Sequence, residues 1–292
     1  MMFRDDLEKL IEHATNHKYA EELVEAKKEF QSVAGTIYED DKSYETRMGL
    51  FLEWFTFDRI LAGTELTHLE RILLDPTSLE TYGLRETCQG FSQNIHGLFM
   101  VRKITDTCVV VVNLFDDVKY KVLETQGKII FRKSDLFEGR IMPHKGEFYF
   151  TGNFCFHPVE AHKFIKDEVR KVVLIQEIHK KELKRLEGEL ASTLKSLDKT
   201  QKSIGKLKAK IEKTQDEAKL VKLDPEKNHL EEKIRDINKS IENIRREIHR
   251  IQIAKLKIEV KTTFHHLIQR ISYMQLKWER SRQIALHDIY RN

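Results

Sequence analysis

Cysteine is nearly absent. Cys88, Cys108 and Cys155 stand far apart and form no CxxC pair, which argues against a disulfide framework and for free thiols in a reducing compartment. Only four prolines and twelve glycines occur in 292 residues, so this is no Pro/Gly-rich disordered chain. No run of 18 apolar residues occurs, and the opening MMFRDDLEKLIEH lacks the apolar centre of a signal peptide. A cytoplasmic protein with no membrane partner is expected. Neither end carries a lipidation motif. A Walker glycine loop, GxGxxG and GxSxG are all missing, and no catalytic residue or cofactor is expected.

Charge and helix-forming residues are plentiful. The chain is 34% charged and carries a net +4, unevenly distributed. Residues 159–292 hold 32 Lys/Arg against 21 Asp/Glu, or +11, and residues 1–158 hold 19 against 26, or −7. An acidic front part carrying a basic tail favours acidic partners for the tail, or contact between molecules.

Hydrophobic spacing divides the chain into an α+β arrangement of three parts. Residues 1–93 read as helical, with one amphipathic helix over 4–34, another over 44–61, and a third opened by Asp75-Pro76 and continuing through Leu79 and Tyr82. Residues 94–157 change character. The run Val109 to Val112, a turn at Asp116-Asp117, VKYKVLE, a turn at Gly127-Lys128, KIIF, Leu136 to Met142 and EFYFTG give five or six short strands. A small antiparallel β-barrel, OB-like or PilZ-like, is the expectation.

Residues 158–292 read as a long two-helix coiled-coil hairpin with its turn near 220–224, because Asp224 suits an N-cap and Pro225 a first helical residue. In the second helix Leu230, Ile234, Ile237, Ile241, Ile244, Ile248 and Ile251 step 4-3-4-3-4-3, the spacing of a coiled-coil seam. A new phase follows through Ile253, Leu256, Val260, Phe264, Leu267, Ile271, Met274 and Trp278. The first helix offers Leu183, Leu186, Leu190, Leu194, Leu197, Ile204 and Ile211, with Gln201 and Lys208 at two seam positions. Folding back brings Trp278 near residue 166, so burial of Ile271, Met274 and Trp278 against Phe164, Val169 and the β unit is expected.

Candidate sites are few. Lys199, Lys202, Lys206, Lys210 and Lys213 recur at helical spacing, as ammonium groups along a phosphate backbone would; outer coiled-coil positions are also routinely Lys, and Asp198, Glu212, Asp216 and Glu217 dilute the charge. Trp54 and Phe55 in FLEWFTFDR offer a docking surface, although core packing is the commoner use of such aromatics. Cys155, His157 and His162 lack a fourth ligand and metal-site spacing, and His13 with His17 is not HExxH, so no metal is expected. Asp116-Asp117, Glu138 and Glu147 are carboxylates that nothing in the sequence brings together.

FLEWFTFDR, NIHGLFMV, VNLFDDVKYKV, SDLFEGRIMP and YFTGNFCFHPVEA together resemble a family of uncharacterised bacterial proteins that pair a short helical segment, built round an aromatic Asp-Arg motif, with a small β unit. The resemblance spans about residues 48–165 and implies no activity and no functional residue. The expected function is therefore that of a non-enzymatic interaction or scaffold protein. Its body binds a protein partner, and its coiled coil gives reach or self-association, as a homo-oligomer in the latter case. The alternative is a nucleic-acid-binding protein gripping phosphate with the basic arm.

Overall fold

The computed structural model describes residues 3–75, 85–124, 130–213, 217–281 and 283–291. The expected turn at Gly127-Lys128 and the expected helix from Pro76 through Tyr82 lie outside them. The chain divides into two compact units: residues 1–174 with 261–292, and residues 175–260.

Unit one opens with α1 (Phe3–Ala14), a 3₁₀ turn (His17–Tyr19) and α2 (Ala20–Ala34). The single helix expected over 4–34 is thus two. Asn16 breaks it, because its side chain accepts the Lys18 amide at 2.8 Å and holds the chain out of helical geometry. Helix α3 (Tyr44–Phe57), α4 (His68–Leu74) and α5 (Arg85–Phe91) complete the helical front. Thr67 starts α4 with a capping box, exchanging bonds with Glu70.

Six strands follow: β1 (Ile95–Ile104), β2 (Cys108–Asn113), β3 (Lys119–Leu123), β4 (Leu136–His144), β5 (Glu147–Phe150) and β6 (Cys155–His157). The pairings run β1-β2-β3-β5-β4-β6, and β4 also pairs with β1. The sheet is mixed rather than antiparallel, because β5 returns from β4 to lie parallel to β3. Ile130 and Phe131 of the expected KIIF strand are not in a strand.

Side chains alternate across β1 and β4 as the pleat requires. Phe99, Val101, Phe137 and Ile141 join Val109, Val111, Val122 and Phe150 in one cluster. Leu98, Met100 and Leu136 join the other, with Ile165 and Val169 of α6 (His162–Glu212) and Leu267, Ile268, Ile271 and Met274 of α8 (Lys261–Ser281). Both faces of β4 are therefore covered, and any polar residue there is buried with it. Burial of Ile271 and Met274 matches the expectation. Trp278 does not: it is 37% exposed, because the apolar stripe turns outward after Met274 and Leu276. Helix α8 also crosses α2, where Tyr273 lies over Gly35 and Arg280 bonds Asp41 and the Thr36 carbonyl. A short helix, α9 (Leu286–Ile289), adds Ile289 to the same core.

Unit two comprises the rest of α6, helix α7 (Glu217–Arg250) and a π-helical stretch, Ile251–Val260. Leu186 clusters with Ile244 and Ile251, flanked by Leu183, Leu190, Ile248 and Leu256. Ion pairs join Glu182 to Lys255 at 3.0 Å and Lys208 to Glu231 at 3.4 Å. Two details of the expected seam change. Thr200 and Leu207 are the buried positions, and Gln201 and Lys208 are exposed, since a step of three from Leu197 and Ile204 keeps the apolar face inward. Pro225 lies inside α7, which is already helical from Glu217, so Asp224-Pro225 does not start the helix and the chain does not turn at 220–224. The phase change after Ile251 has a physical cause: π-type bonding inserts extra residues per turn and rotates the stripe.

Candidate functional site

The densest chemistry of unit one lies on the covered face of β1 and β4. His96 stands opposite Arg140, and Leu98 opposite Glu138, in the β1–β4 ladder. The end of α3 brings Glu53 and Asp58, and α8 brings His265 and Ser272. All six of these titratable groups are buried.

Arg140 is the hub. Its Nη1 is 3.2 Å from Asp58 Oδ1, and its Nη2 donates to Asp58 Oδ2. Nη1 also donates to Asn94 Oδ1, and Nε lies 3.3 Å from Glu53 Oε2. Asn153 donates to the other Glu53 oxygen at 2.6 Å. A fully buried guanidinium keeps its charge only with such partners: burial depresses the Arg140 pKa, but Asp58 and Glu53 outweigh it and raise it. Burial pushes the Glu53 carboxyl up, beyond what Arg140 restores. For Asp58 burial acts the same way, yet Arg140, His265 and His96 together hold it well below the usual carboxylate range.

The two imidazoles stack at 5.2 Å, with 3.1 Å between their Nδ1 atoms. His96 Nδ1 is 3.3 Å from Asp58 Oδ2, and its Nε2 is 3.1 Å from Glu138 Oε1. Ser272 donates to the other Glu138 oxygen. Burial and Arg140 lower the His96 pKa, but bonds to Asp58 and Glu138 reverse that and raise it. Burial takes His265 down to about 3, against the pull of Asp58. Neighbouring nitrogens at hydrogen-bond distance cannot both carry a proton, and one charged with one neutral ring satisfies that. The donor set Asp58, His96 and His265 can also hold a metal ion, since one ligand atom from each lies within 4.8 Å of the others. Beside it a cavity of about 10 Å³, lined by Arg47, Glu138, Gln269 and Ser272 among others, has room for roughly one water.

The residues expected from sequence land elsewhere. Lys199, Lys202, Lys206, Lys210 and Lys213 are exposed on α6 in unit two, and Lys202 is paired with Asp198 at 2.7 Å. Trp54 and Phe55 are no docking surface: they are buried with Phe30 and Phe51, because α3 packs on α2 through them. Cys155, His157 and His162 do not converge on one point. Burial lifts the Cys155 thiol to about 12, His157 Nδ1 meets the Tyr290 hydroxyl at 3.3 Å, and His162 meets the His157 carbonyl at 3.4 Å. His13 is half-buried and contacts the Tyr19 ring. Of the four suspected carboxylates only Glu138 is in the cluster; Asp116 Oδ1 instead accepts the Val118 amide at 2.9 Å, as a turn residue.

Sequence reasoning missed the cluster although its parts stood in the quoted motifs. FLEWFTFDR supplies Glu53 and Asp58, NIHGLFMV supplies Asn94 and His96, and SDLFEGRIMP supplies Glu138 and Arg140. Arg59 of the same Asp-Arg pair points to α2, bonding Glu29 at 2.8 Å and Glu22 at 3.2 Å. The legible signal was period two: Leu136, Glu138, Arg140 and Met142 share one strand face.

The chain belongs to a family of unknown function (DUF7986), whose model matches residues 2–189. No curated protein and no solved structure matches it. The matched span contains every residue of the cluster except His265 and Ser272. Among the described residues no helix is long and apolar enough to cross a membrane.

Proposed function

We propose that this family member is a non-enzymatic interaction protein of the cytoplasm. Its β unit is a small barrel of the OB-like or PilZ-like kind, which with the surrounding helices binds a protein partner. Its two long helices form an antiparallel coiled-coil hairpin giving reach or self-association. The observation that carries this reading is the buried run of α6 in unit two. Leu186, Leu190, Thr193, Leu197, Thr200, Ile204, Leu207 and Ile211 step 4-3-4-3-4-3-4 and are all buried or half-buried. The partner numbers on α7 and the π-helical stretch after it fall as those of α6 rise, from Lys255 against Glu182 to Glu231 against Lys208. Residues 175–212 alone extend about 55 Å at helical rise, which serves spacing better than catalysis. The return of pairing from β4 to β1 supports the barrel.

The second reading, nucleic-acid binding, draws on the exposure of all five lysines. Purification of the full chain separates the two. The first reading expects a protein-like 260/280 absorbance ratio. A nucleic-acid ratio that returns to the protein value in the Lys199→Glu, Lys206→Glu, Lys213→Glu variant would promote the second.

A further inference from the structure

The geometry points to a divalent transition-metal site of the Zn(II) class formed by Asp58, His96 and His265 inside unit one. His96 Nδ1 lies 3.1 Å from His265 Nδ1 and 3.3 Å from Asp58 Oδ2. Metal–ligand bonds of about 2.0–2.2 Å in a tetrahedron set neighbouring donors roughly 3.3–3.6 Å apart. Two of the three edges are therefore close to those of ligands sharing one ion. The three donor atoms lie within 4.8 Å of one another, so the third edge closes by up to roughly 1–1.5 Å when an ion is bound.

The surroundings are those of ligands. His96 turns its other nitrogen to Glu138 at 3.1 Å, and Ser272 holds Glu138 in turn. A carboxylate on the far nitrogen fixes the tautomer that leaves Nδ1 free to coordinate. Arg140 orients Asp58. His265 Nε2 is buried and makes no hydrogen bond, lying 3.6 Å from Asp58 Oδ1. Glu53 and Asp58 flank the Arg140 guanidinium, Glu138 lies against His96, and all three carboxylates are buried, so a dication beside His96 meets negative charge on two sides. Two imidazoles with one carboxylate select a transition metal over Mg(II) or Ca(II), which take oxygen ligands. The three donors come from the end of α3, from β1 and from α8. The ion clips the last long helix to the strand, with three protein donors and a fourth position that a water would fill.

Zn(II) is the probe. The full chain, purified natively and dialysed against micromolar Zn(II) and then metal-free buffer, is expected to keep at least half an equivalent by plasma mass spectrometry. Less than that in a folded chain overturns the site. X-ray absorption on the loaded wild-type protein needs no variant: it is expected to show two imidazoles with oxygen, and a sulfur ligand or a single imidazole overturns the assignment. Glu138→Gln is expected to weaken Zn(II) binding about 10–100-fold, as loss of a partner behind a ligand does. Unchanged affinity in that variant contradicts the orienting role given to Glu138. His265→Gln is expected to lose the ion, and a folded variant with wild-type affinity overturns the site. Should it not fold, the absorption shell of the wild type decides.

Discussion

Arg140 and Asp58 meet as a buried two-point ion pair, Nη1 to Oδ1 at 3.2 Å and Nη2 to Oδ2, on the face of β4 that the helices cover. Removing one partner of such a pair leaves the other charged, buried and unpaired. Arg140→Met is expected to destabilise unit one by about 3–5 kcal/mol in urea unfolding. A loss below about 1 kcal/mol, the worth of an exposed pair, would show that the pair is not buried as described.

Gly35 ends α2 with φ +77°, and a Cβ there would lie 2.3 Å from the Tyr273 ring of α8. Gly35→Ala is therefore expected to destabilise, by more than the roughly 1–3 kcal/mol that this glycine-only backbone region (ψ 155°) alone costs. Gly188, inside α6 with nothing near its Cβ position, gives the opposite sign. Gly188→Ala should stabilise by about 0.5–1 kcal/mol. Thermal melts of both variants check the pair, and equal shifts would contradict the packing of α8 over Gly35.

His157 carries a pH prediction. Burial holds its imidazole at about 3, against about 6.5 in an unfolded chain. The unfolded state then binds the extra proton, so the stability from this group is complete above about pH 6.5 and is lost as pH falls toward 3. The slope from one such group is up to about 1.4 kcal/mol per pH unit. His157→Gln is expected to flatten the wild-type curve in that window, measured by denaturant midpoints at successive pH. A curve parallel to wild type would sink the idea.

Leu207 and Lys208 divide the seam of unit two from its surface. Leu207→Ala is expected to cost about 2–5 kcal/mol, the range for a buried leucine, while Lys208→Ala should change stability by less than about 0.5 kcal/mol. Helical circular dichroism during unfolding reads both. The reverse order would restore the register with Lys208 inward.

Period and punctuation made the element types readable. Strand patterning announced β2 to β5 but not β1, the isoleucine steps of α7 announced a seam, and the change of phase after Ile251 was visible without its π-helical cause. Punctuation also misled. Asp224-Pro225 has the composition of a helix start, but α7 is already helical from Glu217. The stripe through Trp278 ran one turn past its burial, because hydrophobicity does not record where the opposing surface ends. The cluster escaped for a different reason. Asp58, His96, Glu138 and His265 are separated by tens of residues and sit on three kinds of element, so only the fold brings them together. His265 also stood beside Phe264 in an apolar stripe, where a histidine reads as incidental.

Affinity capture of the full chain from the cells that make it, after nuclease treatment and with mass-spectrometric identification, tests the interaction function most directly. The account predicts one recurrent protein, either a distinct partner or a second copy of this chain, recovered in molar amount comparable to the bait. Recovery of the bait alone as a monomer, or of nucleic acid that the Lys199→Glu, Lys206→Glu, Lys213→Glu variant fails to retain, would contradict it.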